Sequence, residues 1–421
     1  MKLSIRNFAK LKEADILING ITVIAGNNDT GKSTIGKVLY SLFNSTSNIS
    51  EKITNQRFSE IEGNAKSIIY NHAVPQQIAS MLASRLKHRL KEAYQDSQKY
   101  NQIVLFSIIH EVISADIKTD TVADIELQLQ TMISEKFSLS SERLIREFIS
   151  RHFQDEFRGQ INSLTIPSSV SDVELLVKNK RISLSFTDNE CSSYKSELLL
   201  KHKAVYLDNP FLLDDWSYGY FFPNSFLSGS DEEPYYNPMN GLFDAVIAKE
   251  KLVPINERLR QIVKGSIVTQ NNGEHFLQQE GFSQPLSLAN LSTGLKSFVI
   301  LKILLERNII KEEDVLIFDE PEIHLHPQWQ IAFAELLVLL QKQFELSLVV
   351  TTHSPYFLDA INLYSIKYGT AKNANYYLAE EKNRKICIEN VNDSIDKIYK
   401  KMVTPIQLLD TLRQELNSTN L

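Results

Sequence analysis

Nine residues constrain this chain more than any others. Residues 26–34 read GNNDTGKST; the β-branched, apolar run ITVIA (21–25) precedes them, and a helical pattern from residue 31 to about 44 follows. Few folds admit that order. A buried strand must deliver the chain into a turn whose glycines tolerate left-handed dihedrals, and a helix must start at once. Gly26, Gly31, Lys32 and Ser33 fit G-x-x-x-x-G-K-[ST] in this context. Such a loop presents backbone N–H groups at a helix N-terminus, which suits phosphates. Gly26, Asn27, Asn28, Asp29, Thr30, Gly31, Lys32, Ser33 and Thr34 are therefore the candidate nucleotide-binding set. Lys32 should reach the β- and γ-phosphates and the Ser33 hydroxyl should bind Mg²⁺, so the implied cofactors are ATP and Mg²⁺.

Three later stretches supply the rest of such a site. Residues 315–320 read VLIFDE, an apolar strand ending in two acids. Asp319 is expected to meet the metal through water, and Glu320 to orient or deprotonate the attacking water. Residues 348–354 read LVVTTHS, which puts His353 at the tip of another strand, where it can hydrogen-bond the γ-phosphate or the water. Residues 291–296 read LSTGLK and open an amphipathic stretch. The bland reading of Ser292 is a helix cap. The sharper one is that the Ser292 hydroxyl and the Gly294 N–H grip a γ-phosphate bound to an opposite subunit.

With 421 residues the chain exceeds one ordinary core. From about residue 50 to 160 glycine almost vanishes and apolar residues recur at helical spacing, as in IASMLASRLKHRLKEAYQDSQKY. The expected organisation is a head split over 1–48 and 161–421, with a helical insertion at 49–160. Within the head, strands are expected at 2–6, 14–18, 314–319 and 346–351, and helices at 241–263, 294–307 and 327–342. Residues 214–240, rich in Gly, Pro, Asp and aromatics, read as a functional or mobile loop that includes WSYGYF (216–221). Strands alternating with helices argue for a largely parallel sheet. A net charge of -6 removes any global basic signature, and Cys191 and Cys387 form neither a CxxC pair nor a zinc pattern. The charged N-terminus lacks a signal-peptide stretch, and no segment approaches the roughly 20 apolar residues of a membrane helix. A cytoplasmic protein without a membrane partner is expected.

The order phosphate loop, insertion, LSTGL, VLIFDE, TTHS resembles ABC-type ATPases of the SMC, RecF and OLD-like branch. FDEPEIHLHPQWQ and TTHSPYFLDAI look most like OLD-family and related prokaryotic AAA ATPases, as does the opening LSIRNFAKLKEADI. The resemblance covers about residues 1–45 and 200–370. It implies an α/β fold: an ABC-type P-loop head with a mixed sheet and a large α-helical insertion. It also makes Arg6, Asn7 and Phe8 candidates for nucleotide contact. The signature departs from LSGGQ, because Thr293 replaces a glycine, and a Q-loop glutamine is not identifiable. OLD-like nucleases carry a C-terminal TOPRIM domain of about 100 residues. Here about 50 residues follow residue 370, and 392–416 read as two short helices.

Those features imply an ATPase that works through something else. The leading expectation is a homodimer sandwiching two ATP molecules, with a higher oligomer left open, that controls a separate effector such as a nuclease or toxin. Stand-alone ATPases of this sort resemble those of anti-phage systems such as PARIS and Septu. Two rivals stand: a DNA repair or processing ATPase that clamps nucleic acid directly, and an ATP-dependent scaffold that hydrolyses slowly. The pair His324 and His326 reads better as part of a dimer-contacting loop than as a metal site. The basic run Arg85, Lys87, His88, Arg89, Lys91 reads better as a solvated helix face than as a nucleic-acid surface.

Overall fold

The computed structural model describes residues 1–97, 102–117, 121–166, 169–217, 242–269, 275–306, 310, 312–382 and 385–419. The chain divides into two units, Met1–Ser47 with His152–Leu421, and Asn48–Arg151.

The first unit is built on one sheet. Its strands are β1 (Lys2–Phe8), β2 (Leu11–Leu17), β3 (Ile21–Gly26), β4 (Ser171–Val177), β5 (Lys180–Thr187), β6 (Glu190–Ser196), β7 (Ala204–Leu207), β11 (Val315–Asp319), β12 (Ser347–Thr352), β13 (Ala374–Lys382) and β14 (Lys385–Asn390). They lie in the order β6-β5-β4-β1-β2-β14-β13-β3-β12-β11-β7. A three-stranded sheet of β8 (Ser266–Thr269), β9 (His275–Gln278) and β10 (Leu286–Ser287) stands apart from it.

Hydropathy explains the two halves of the large sheet. β13, β3, β12, β11 and β7 run parallel. Every residue of β3 is buried, because strands covered on both faces read as continuous apolar runs. β1, β4, β5 and β6 pair antiparallel, and β1, β4 and β5 alternate buried with more exposed positions. Helices at Thr293–Glu306, Pro327–Phe344 and Pro355–Lys367 cover the parallel half. There Phe333 is a hub, its ring 5.2 Å from Phe298 and 5.8 Å from Phe318. The parallel arrangement brings the carboxyl ends of β3, β12, β11 and β7 to one edge, the usual ligand edge of an α/β sheet.

The second unit is helical: α2 (Ile49–Asn71), α3 (Gln76–Ser97), α4 (Gln102–Asp116), α5 (Val122–Ser138) and most of α6 (Ser141–Phe157). Ile61, Ala65 and Ile69 of α2 and Ile125, Leu129 and Ile133 of α5 recur at helical spacing and are fully buried. Three basic residues of α3 are neutralised. Arg85 pairs with Asp116 at 2.7 Å, Lys87 with Glu62 at 2.9 Å and Arg89 with Glu111 at 2.9 Å. The last turns of α6 belong to the first unit, where Phe153 and Phe157 meet Phe8.

Two expectations change. Instead of two short helices in 392–416, one helix runs from Asp396 to Thr419, with Ile398 fully buried at its start. The β13–β14 hairpin before it inserts between β3 and β2, so these residues complete the head's sheet. Of the loop expected at 214–240, residues 214–217 lie in the helix Leu212–Ser217, and residues 218–240, with most of WSYGYF, lie outside the described residues. Among the described residues no helix is long and apolar enough to cross a membrane.

Candidate functional site

The phosphate loop leaves β3 at Gly26 and enters α1 (Lys32–Thr46) through Gly31. Gly31 takes φ 72°, and an added Cβ would sit 2.9 Å from Leu11 Cδ2, so the turn demands a glycine. Asp29 is also left-handed and is tied to Lys10 of the β1–β2 turn at 2.5 and 2.7 Å. The Thr30 hydroxyl donates to Asn27 O at 2.7 Å. No side chain caps α1, and its first turn carries no acid. The first N–H groups of the helix, with the positive end of its dipole, thus face the loop without a side-chain cap.

Lys32 is 3% exposed. Its ammonium donates to Gly26 O at 3.1 Å and Asn27 O at 2.8 Å, and it pairs with Glu320 Oε1 at 3.0 Å. Burying an ammonium is costly unless it is paired and hydrogen-bonded. Here the loop carbonyls and the acid meet that need.

Asp319 ends β11 with both oxygens engaged. Thr351 Oγ1 donates to Oδ1 at 2.5 Å and the Tyr206 hydroxyl donates to Oδ2 at 2.7 Å. Register explains the geometry, since β11 lies between β12 and β7 with Asp319 opposite Thr351. Burial, then the Asp319 carboxylate, push the Tyr206 hydroxyl above its ordinary value, so it stays a donor. Glu320 leaves the strand at φ 49°. That conformation costs a non-glycine residue roughly 1–2 kcal/mol. Its N–H donates to Thr351 O at 3.2 Å and to Thr351 Oγ1 at 2.9 Å, which offsets the cost. His353 follows β12, its Nδ1 3.5 Å from Glu320 Oε2 and 3.6 Å from Glu322 Oε1. Asp208, directly after β7, is partly desolvated, which pushes its carboxyl up; Lys37 opposes this and Asp319 adds to it.

These residues fit Mg²⁺. Hydroxyl and carboxylate oxygens suit a hard cation. Ser33 stands on the first turn of α1, and each Asp319 oxygen already accepts one bond, which favours contact through water. Among the described residues no group of three or more His, Cys, Asp or Glu is placed to hold a metal ion. Were Ser33 and Asp319 to hold the ion, most of its ligands would fall to phosphate and water, as Mg²⁺ prefers.

The structure thus brings Lys32, Asp319, Glu320 and His353 together. Ser292 and Gly294 belong to another set of contacts. Ser292 O accepts from Lys296 N at 3.0 Å, in the first turn of the helix Thr293–Glu306. A Cβ on Gly294 would meet His324 O and the Trp329 ring at 3.0 Å, so this helix start packs on the segment that follows Glu320. Asn7, at the end of β1, donates to Val170 O at 3.5 Å and accepts from Ser171 Oγ at 2.5 Å. Arg6 pairs with Asp15 at 2.7 Å. Phe8 is fully buried among Phe153, Phe157 and Phe186, which leaves it no surface for a nucleotide. Sequence reasoning passed over Tyr206, Thr351 and Glu322. Thr351 and Glu322 sat inside stretches already singled out, and strand register was the missing signal.

Residues 153–359 match the family model described as "AAA domain, putative AbiEii toxin, Type IV TA system". Three solved structures are similar at low identity. The SMC head domain from Thermotoga maritima is 11% identical, covering 93% of this chain and 98% of that one, with a TM-score of 0.38. An Smc head bound to the C-winged helix domain of ScpA is 12% identical, covering 95% and 98%, with a TM-score of 0.42. An Smc head with an extended coiled coil, bound to the C-terminal domain of ScpA derived from Pyrococcus furiosus, is 11% identical, covering 98% of each chain, with a TM-score of 0.35. The matched stretch holds β7, β11, β12, Ser292 and His353. The phosphate loop lies before it in sequence and joins it through the β3–β12 pairing. The match to an AAA domain, joined in this way to a phosphate loop, supports ATP binding and hydrolysis by this chain.

Proposed function

We propose that this protein is an ABC-type ATPase head that dimerises around two ATP molecules and controls a separate effector protein in anti-phage defence. The observation that carries the catalytic part is the run Lys32–Glu320–His353, which spans the carboxyl ends of three parallel strands with an ion pair of 3.0 Å and an approach of 3.5 Å. In this reading the loop N–H groups and Lys32 hold the phosphates. ATP draws Lys32 away from Glu320, because the triphosphate offers more negative charge than one carboxylate. Glu320 is then released to orient water in line with the γ-phosphate. His353 contacts the γ-phosphate side. Ser33, and Asp319 through water, would hold Mg²⁺, which would supply positive charge to the phosphates. Ser292 and Gly294 close the site of the second protomer from a helix N-terminus. The defence half of the reading draws on the matched family's description as an AAA domain, putative AbiEii toxin, of a type IV TA system, and the separate effector on the resemblance to stand-alone ATPases of anti-phage systems.

A Glu320→Gln variant tests it. The variant should bind ATP, form dimers in ATP and turn over about 10²–10³-fold more slowly. Undiminished turnover would overturn the role of Glu320, and a variant that stays monomeric in ATP would overturn the shared site.

A further inference from the structure

Glu322 stands two residues beyond Glu320 and is 2% exposed. Among the described residues, the basic side chain within ion-pair reach of it is His353. Its Oε1 takes every bond. Thr352 Oγ1 donates to it at 2.5 Å, the His353 backbone N–H at 2.9 Å, and His353 Nδ1 stands 3.6 Å away. Its Oε2 is buried without a partner. Burial pushes the Glu322 pKa up, which marks the carboxyl as costly in this place. A buried carboxyl that spends its one engaged oxygen on residues 352 and 353 serves those residues.

The surrounding bonds agree. Thr352 Oγ1 also accepts the Ser354 N–H at 3.0 Å. Ser354 caps the helix Pro355–Lys367 by accepting from Phe357 N, and donates to Gln330 Oε1 at 2.6 Å. Gln330 Nε2 returns to Leu325 O at 3.0 Å. The end of β12 is thereby laced to the segment after β11, and Glu322 is the member that reaches His353 itself. With Nδ1 turned toward Glu320 and Glu322, Nε2 is the nitrogen left for the nucleotide side.

We infer that Glu322 is a positioning residue: its buried Oε1 fixes the backbone and ring of His353 so that the imidazole meets the γ-phosphate. The inference rests on the proposed ATPase reading. Glu322 touches neither ATP nor water, and it acts through His353.

Steady-state ATP hydrolysis by the full chain, with binding of a fluorescent ATP analogue measured in parallel, tests this in E322A, E322Q, H353A and the E322A/H353A double variant. E322A should lower kcat about tenfold with KM for ATP within about twofold. E322Q keeps an acceptor at Oε1 and should stay within about threefold of the wild-type kcat. The double variant should be no slower than H353A, because a group acting only through His353 has nothing left to do. Full kcat in E322A beside an impaired H353A, or losses that multiply in the double variant, would overturn the inference and leave the ATPase reading standing. Wild-type turnover in both H353A and the Glu320→Gln variant would overturn that reading, and Glu322 with it. Should E322A be too unstable to purify, E322M fills the volume without an acceptor and carries the same expectation.

Discussion

The phosphate loop and the acid–histidine face meet at one ion pair, Lys32 with Glu320, yet bonds of very different reach hold them. In the loop the partners lie nearer in sequence: Thr30 bonds three residues back, Lys32 five and six residues back, and Asp29 pairs with Lys10 over 19. Across the site, Thr351 reaches Asp319 over 32 residues and Tyr206 reaches Asp319 over 113. The loop is a local device, shaped by the dihedral freedom of Gly31 and the start of a helix. The acid face exists only because β7, β11 and β12 lie side by side in one register. Damage should therefore spread differently in the two halves. Changes in the loop should remove nucleotide binding. Changes in the acid face should leave binding and degrade turnover.

The largest expected effect lies in the loop. Lys32→Ala removes the ammonium that bonds two loop carbonyls and Glu320. Loss of a phosphate-holding charge in a water-poor site should cost about 10²–10³-fold in kcat/KM. Titration with a fluorescent ATP analogue should show most of that loss as binding. Tight binding with only turnover lost would break the contrast, because Lys32 would then behave as part of the acid face.

The same contrast decides what sequence alone could deliver. GNNDTGKST carries its geometry within nine residues, and VLIFDE and TTHS announce strands that end in chemistry. The partners across strands do not announce themselves. Tyr206 lies in the edge strand AVYL, where a tyrosine is an ordinary β-former. Nothing local says that its hydroxyl reaches Asp319. Glu322 reads as one more acid in a turn until the fold buries it. Phe8 shows the converse: a resemblance in RNF suggested nucleotide contact, whereas Phe8 is a core ring beside Phe153 and Phe186. The β13–β14 hairpin escaped because YYLAEEK mixes helix formers with tyrosines, and its place beside β3 comes from distant pairing.

Thr351→Val comes next in size and probes the acid face at its busiest atom. The hydroxyl donates to Asp319 and accepts from the Glu320 N–H, so valine, of the same shape, unties both acids at once. Groups left unpaired when a buried partner is removed cost about 1–3 kcal/mol each. Turnover should fall about 10–100-fold, with ATP affinity changed less than about threefold. Equal losses in affinity and turnover would mean that Thr351 supports the loop as well.

Tyr206→Phe sharpens the comparison from the far strand and should have the smallest effect. It removes one donor from Asp319 Oδ2 and keeps the ring, which packs 5.9 Å from Tyr40. Thr351 still holds Oδ1, so Asp319 loses orientation in part only. A single hydrogen bond to a charged acceptor is worth about 1.5–3 kcal/mol, and water can refill part of it. The expected loss is about three- to tenfold in turnover at limiting Mg²⁺. Because Asp319 is the residue expected to meet the metal, raising the Mg²⁺ concentration should recover some of that loss, which it should not do for Lys32→Ala. An activity loss in Tyr206→Phe that is indifferent to Mg²⁺ would place Tyr206 with the packing of β7 against β11 instead of with the metal side of the site.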